Sequence, residues 1–181
     1  MSPAAINSGR SGITLILGGA RSGKSAYAEG LIEAAGGGIY LATAPAPDEV
    51  SDPEMSLRIA QHRARRGELW KTKEETINLS SALRELDKQN LPVMVDCLSL
   101  WISNLMAHSL DVESEVNELV IALRQISIPI VFVSLEVGLG IVPTNELARH
   151  YRDHVGRTNQ EIAKLADSVF FIAAGLPLKL K

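Results

Sequence analysis

Cysteine is nearly absent from this chain, and the lone Cys97 excludes an internal disulfide and a cysteine-based metal cluster. Long hydrophobic runs are missing as well. Every apolar stretch falls well short of the about 20 residues a membrane span requires, so no membrane insertion is expected. Nor is there a surplus of charge: the formal net charge is −3, which makes no electrostatic case for nucleic acid, and the basic residues cluster locally instead. Internal repeats and low-complexity segments are lacking. Met1 to Arg10 is small and polar with no apolar core, so it reads as a disordered tail and not as a secretory signal. A cytoplasmic globular protein is expected. Hydrophobic residues make up 46% of 181, enough for the core of one domain over residues 13–181, with 1–12 as the tail.

Against these absences stands one contiguous motif. Residues 18 to 25 read GGARSGKS and fit G-x-x-x-x-G-K-[ST], with Gly18, Gly23, Lys24 and Ser25 at the fixed positions. The apolar run Ile13–Leu17 precedes it and a helical pattern follows, which is the strand, loop, helix context the motif needs. Glycines at Gly18, Gly19 and Gly23 let the backbone N–H groups of the loop, through Ala20, Arg21 and Ser22, close on phosphate oxygens at a helix N-terminus. Lys24 is placed to reach the β- and γ-phosphates and the Ser25 hydroxyl to ligate Mg²⁺. A nucleoside triphosphate is the expected ligand.

The rest of the chain alternates strand and helix, the pattern of a mainly parallel sheet covered by helices. Strands are expected at Ile13–Leu17, Ile39–Ala42, Leu91–Asp96, Ile128–Ser134 and Val169–Ile172, with an edge strand over Leu176–Lys181. Helices are expected from Lys24 to Ala35, from Asp52 onward, and over Ser80–Lys88, Leu98–Met106, Val112–Gln125 and Asn145–Ala166. Thr43 to Ser51, rich in Ala, Pro and acid, reads as a loop, and Glu136 to Gly140 as a glycine-bearing loop.

Asp96 ends a hydrophobic strand, where phosphate-loop proteins place an acid that supports the bound metal. An N-cap for the helix beginning near Leu98 is the plainer alternative. The segment Arg58 to Arg66 sets four arginines around His62. A solvated basic face would explain it. So would an anionic partner, since clustered guanidiniums suit a triphosphate and lower a nearby histidine pKa, keeping the imidazole neutral and nucleophilic. His108 sits at a helix end, and His150 and His154 lie one turn apart without an accompanying His-Glu-x-x-His pattern, which favours surface or interface roles.

Taken together, GGARSGKS at 18–25, YLATA at 40–44, DPEMSLRIAQHRARR at 52–66 with Trp70 after it, and EVGLGIVPTNELARHYRDHVGRTNQEIA at 136–163 resemble the bifunctional adenosylcobinamide kinase/adenosylcobinamide-phosphate guanylyltransferase family. The resemblance implies a phosphate-loop NTPase α/β domain of the RecA-like kind, acting on adenosylcobinamide and its phosphate with GTP, ATP and Mg²⁺. It implies a guanylylated histidine, which falls on His62. GTP contacts fall on Gly18 to Ser25, on Ala42, Thr43 and Ala44, on Arg63, Ala64, Arg65 and Arg66, on Glu74 and on Asp96. It implies a homotrimer too, and the apolar Trp101, Ile102, Leu105 and Met106 of the helix Leu98–Met106 are expected to supply subunit surface. Three departures stand out. The loop Pro45–Ser51 is longer than the family's, Gln61 stands where some members carry a second histidine, and Asp96 stands where some carry Glu.

Overall fold

A computed structural model describes residues 12–44, 67 and 69–181. Residues 1–11 of the tail, the loop Pro45–Ser51, the helix expected from Asp52, and with it His62 and Arg63 to Arg66, lie outside the described residues. In chain order the elements are β1 (Ile13–Gly18), α1 (Lys24–Ala34), β2 (Gly38–Ala42), β3 (Trp70–Glu74), α2 (Leu79–Asp87), β4 (Val93–Asp96), α3 (Leu98–Ala107), α4 (Val112–Leu123), β5 (Ile130–Leu135), α5 (Glu146–Leu165), β6 (Ser168–Ala173) and β7 (Leu176–Lys179). The strands form one seven-stranded sheet in the order β3-β2-β4-β5-β1-β6-β7. All pairs are parallel except β6 with β7.

The central strands are apolar along their whole length because both faces are covered. Side chains alternate between two cores with the period of two that a pleated strand imposes. Leu15, Ile39, Leu41, Val93, Val95, Ile130 and Phe132 point into the larger core. Ile16, Tyr40, Met94, Val131 and Val133 point into the smaller one, where Ala28, Leu31 and Ile32 of α1 meet them. Burying Leu31 and Ile32 contributes about 1.5–3 kcal/mol each, which holds α1 flat on the sheet with its N-terminus at the end of β1. On the opposite face α2, α3, α4 and α5 pack together over the larger core.

Caps set the helix starts. The Asp111 carboxylate accepts from Glu113 N–H (3.0 Å) and Ser114 N–H (3.2 Å) at the start of α4, and Asn145 Oδ1 accepts from Ala148 N–H (3.0 Å) at the start of α5. α1 has no such cap: it begins after Gly23, which has no side chain to bond its first turn. Its N–H groups are the ones a phosphate would take.

The expected elements are all found within a few residues of their places among the described residues, with two differences. β3 is the first, a strand that the sequence does not foretell. Apart from Trp70, its residues WKTKE are polar, and the strand is largely exposed; it forms because the open edge of β2 supplies a full parallel ladder from Gly38–Trp70 to Ala42–Glu74. The second difference concerns α3. Trp101, Ile102 and Leu105 have no exposed surface, and Met106 packs against the same core. Trp101 also donates its indole N–H to the Ile77 carbonyl at 2.7 Å. This helix faces inward, against its own subunit, so it offers no surplus apolar surface to a neighbour.

Candidate functional site

The phosphate loop joins β1 to α1 and depends on two glycines. Gly18 has φ 151°, and a Cβ there would stand 2.4 Å from the Ile172 carbonyl oxygen of the adjacent strand. Gly23 has φ 101° and would set a Cβ 3.2 Å from Gly175 Cα. Any side chain at either position would strain the backbone, and at Gly18 it would also push β1 from β6. The turn between β6 and β7 supports the loop from outside, Gly175 N–H donating to the Ser22 carbonyl at 2.8 Å.

Lys24 is the first residue of α1. It is only 8% exposed, and its ammonium donates to the Gly19 carbonyl at 2.6 Å, which keeps the charge in the mouth of the loop. Burial pulls its pKa below the ordinary 10.5, opposed by the Cys97 and Asp96 side chains. The Cys97 thiol, itself pushed up to about 11 chiefly by burial, is neutral at pH 7. The charge that steadies the Lys24 ammonium there is therefore the Asp96 carboxylate.

Asp96 ends β4, two strands from β1, and its Oδ2 accepts from the Tyr40 hydroxyl at 3.0 Å. The helix after it is capped at Cys97 without any side-chain bond, so Asp96 is not serving as an N-cap. Among the described residues no cluster of three His, Cys, Asp or Glu could hold a metal ion alone. A single carboxylate suits an ion that completes its shell with phosphate oxygens and water, as Mg²⁺ does.

The sheet brings the other expected contacts to the same edge. Glu74 pairs with Ala42, Ala42 with Asp96, Asp96 with Val133, and Leu135 with Gly18. At about 4.8 Å per strand, Glu74 stands about 19 Å from Gly18 across the sheet, so it is beyond reach of the phosphates held there. Thr43 is fully buried. Its N–H donates to the Asp96 carbonyl at 3.2 Å, and its carbonyl accepts from Asn104 Nδ2 at 2.8 Å. Its hydroxyl bonds Cys97 at both N–H and C=O. Thr43 is thus a strut between β2 and β4, with Asn104 also holding the Thr76 carbonyl at 3.1 Å. Nothing in the sequence marks Asn104 or this clasp, because both join segments far apart in the chain. Ser99 is equally unmarked, although its hydroxyl lies 3.0 Å from Cys97 Sγ and accepts from Leu135 N–H at 3.4 Å. His108 follows α3, and His150 and His154 lie on α5; His108 Nδ1 lies 2.9 Å from the Asn104 carbonyl of its own helix.

A glycine-closed loop on an uncapped helix, a buried lysine and an acid two strands away define a phosphate-loop nucleotide-binding domain. A solved prototypical ATPase from the type III secretion system of pathogenic bacteria has the same fold, with a TM-score of 0.55 at 13% identity over 93% of this chain and 56% of that one. The model of the family described as cobinamide kinase / cobinamide phosphate guanyltransferase matches residues 14–180. The bifunctional adenosylcobalamin biosynthesis protein CobP of Pseudomonas aeruginosa is 45% identical, the match covering 92% of this chain and 96% of that protein. CobU of Escherichia coli, with the same bifunctional description, is 35% identical over 92% of this chain and 98% of its own. The chain belongs to the cobinamide kinase / cobinamide phosphate guanyltransferase family.

Proposed function

We propose that this enzyme acts twice on a corrinoid side chain at one triphosphate site. In the first reaction ATP or GTP phosphorylates the terminal hydroxyl of adenosylcobinamide. In the second, His62 attacks the α-phosphorus of GTP and pyrophosphate leaves with the bonding electrons. The GMP then passes from His62 to adenosylcobinamide phosphate, giving adenosylcobinamide-GDP. The observation that carries this reading is the complete phosphate-loop edge, Gly18 to Ser25 facing Asp96, in a chain matched over residues 14–180 by this family.

In this scheme Gly18, Gly19, Ala20, Arg21, Ser22, Gly23, Lys24 and Ser25 hold the phosphates, and Lys24 follows negative charge toward the leaving group. Arg63, Arg65 and Arg66 add charge around His62, with Ala64 between them. Ala42, Ala44 and Glu74, further along the edge, take the nucleoside end, while Thr43 braces that stretch from within. Mg²⁺, held by Ser25 and Asp96, would supply charge neutralisation when bound. No helix among the described residues is long and apolar enough to cross a membrane, and we place the reactions in the cytoplasm. The assembly is a homotrimer in this reading. The edge strand β7 supplies its apolar surface, with Leu176 and Leu178 exposed on one side of the strand and Leu180 exposed just beyond its end.

Incubation with α-labelled GTP and Mg²⁺, followed by mass spectrometry, tests the scheme. One GMP per chain on His62 is expected, with transfer to adenosylcobinamide phosphate on its addition. A protein that phosphorylates adenosylcobinamide but never acquires label would be a small-molecule kinase only.

A further inference from the structure

Resting on that functional reading, we propose that the segment 136–147 is the acceptor subsite: Glu136 receives the corrinoid hydroxyl, and the exposed aliphatic rim beyond it seats the macrocycle.

β5 lies between the phosphate-loop strand and the Asp96 strand, so the chain leaving it emerges between the two groups that serve the triphosphate. That exit is held firmly. Leu135 accepts from Asn159 Nδ2 at 3.1 Å through its carbonyl and donates its N–H to Ser99 Oγ. Glu136 N–H then donates to the Gly18 carbonyl at 3.0 Å. Because Leu135 pairs with Gly18, Glu136 stands beside Gly19, whose carbonyl takes the Lys24 ammonium. Among the described residues the carboxylate accepts a local bond, from Gly138 N–H at 2.6 Å, which a substrate hydroxyl can share.

Beyond Glu136 the loop is tied down yet apolar. Arg149 Nη1 donates to the Pro143 and Thr144 carbonyls at 3.0 and 2.7 Å, fixing the loop on α5. Leu139 and Ile141 are nevertheless 81% and 97% exposed, with Val142 and Leu147 exposed beside them. A fixed surface of bulky aliphatics next to a phosphate loop suits a broad, largely apolar substrate. Between this rim and α5 runs a groove of about 310 Å³ lined by Gly138, Arg152, Asp153, Gly156, Arg157 and Gln160. It is too small for a macrocycle, and its guanidiniums are paired, Arg152 with Asp153 and Arg157 with Glu113, so a phosphorylated side arm would have to displace those carboxylates.

The kinase step then balances as follows. The substrate hydroxyl oxygen attacks the γ-phosphorus, and the bond from that phosphorus to the bridging oxygen breaks. The electron pair leaves with the nucleoside diphosphate, and the hydroxyl proton passes to the Glu136 carboxylate and on to water.

Two variants of the full chain, Glu136→Gln and Ile141→Ser, test this against wild type with adenosylcobinamide. Glu136→Gln should lower the kinase kcat about 100-fold while self-guanylylation from GTP stays at the wild-type level. Ile141→Ser, at a fully solvated position, should raise the corrinoid KM about tenfold and leave the triphosphate KM and the mass by light scattering unchanged. Equal loss of self-guanylylation in Glu136→Gln, or wild-type kinetics in both variants, overturns the subsite. So does an Ile141→Ser protein of smaller mass and unaltered KM, which would assign the rim to a subunit contact. A wild-type protein that phosphorylates no corrinoid overturns the functional reading as well.

Discussion

The Thr43 hydroxyl clasps the backbone of Cys97, accepting from its N–H at 2.7 Å and donating to its carbonyl at 2.8 Å. One side chain at the end of β2 thereby fixes the chain at the residue after Asp96. The Cys97 carbonyl has a second partner in Trp101 N–H at 3.1 Å, so removing the hydroxyl orphans chiefly the Cys97 N–H. Thr43→Val should destabilise the protein by about 1–3 kcal/mol, the cost of one unpaired buried donor. Activity should fall as well, because the backbone just after Asp96 loses its clasp while Tyr40 still holds the carboxylate. Thr43→Ser should restore both. Chemical denaturation alongside the kinase assay checks this.

Lys24 carries a sign that can be read from pH. Its folded pKa lies below the ordinary 10.5 because burial disfavours the ammonium. At a pH under both values the folded protein bears the full cost of a buried charge. As pH rises through the folded value toward 10.5, the unfolded chain holds the proton more tightly than the folded one, so this cost is relieved. Wild type should therefore gain stability relative to Lys24→Met across that window. A constant difference between the two proteins over the alkaline range would contradict the buried-ammonium account.

Binding and chemistry separate at Lys24 and His62. Lys24→Ala should weaken both reactions, since each needs the same triphosphate in place. His62→Ala should abolish the GMP adduct and guanylyl transfer while sparing much of the kinase activity. The adduct on wild type should be acid-labile and alkali-stable, as a phosphoramidate is. Loss of both activities in a folded His62→Ala protein would make that histidine a shared phosphate ligand.

Assembly is tested at the sheet edge. Light scattering should give about three times 19.5 kDa for wild type. Leu178→Lys, which places a charge on the apolar side of β7, should shift the population toward smaller species. Trp101→Ala should instead cost about 3–5 kcal/mol of monomer stability as a core truncation.

The parts legible in the sequence are those whose reason is local. Gly18 to Ser25 announces itself because the loop's geometry is written in contiguous residues. Val93–Asp96 and Ile130–Leu135 are legible because a strand buried on both faces must be apolar throughout. β3 is hidden because WKTKE has no such signature; the open edge of β2 decides it. The apolar face of α3 is visible, but periodicity does not say what covers it, which is why Trp101 reads as subunit surface and proves to be core. Within the site, Lys24 and Asp96 are legible from their motifs. Thr43 is named by the resemblance only as a nucleotide contact; its bracing role, like those of Asn104 and Ser99, rests on hydrogen bonds between distant segments, which no spacing records.

The bond from Gly175 to Ser22 has a mechanical consequence. Gly175 sits at the corner where β6 turns into β7, and the carbonyl it grips belongs to the phosphate loop. β1 is equally close on that side, with the Ile172 carbonyl against Gly18. A load applied to the outermost strand thus reaches the triphosphate cradle through one short rigid linkage. If β7 is where copies meet, dilution becomes a biochemical variable: nucleotide affinity measured at nanomolar and at micromolar protein should differ, and the catalyst would report on its own abundance.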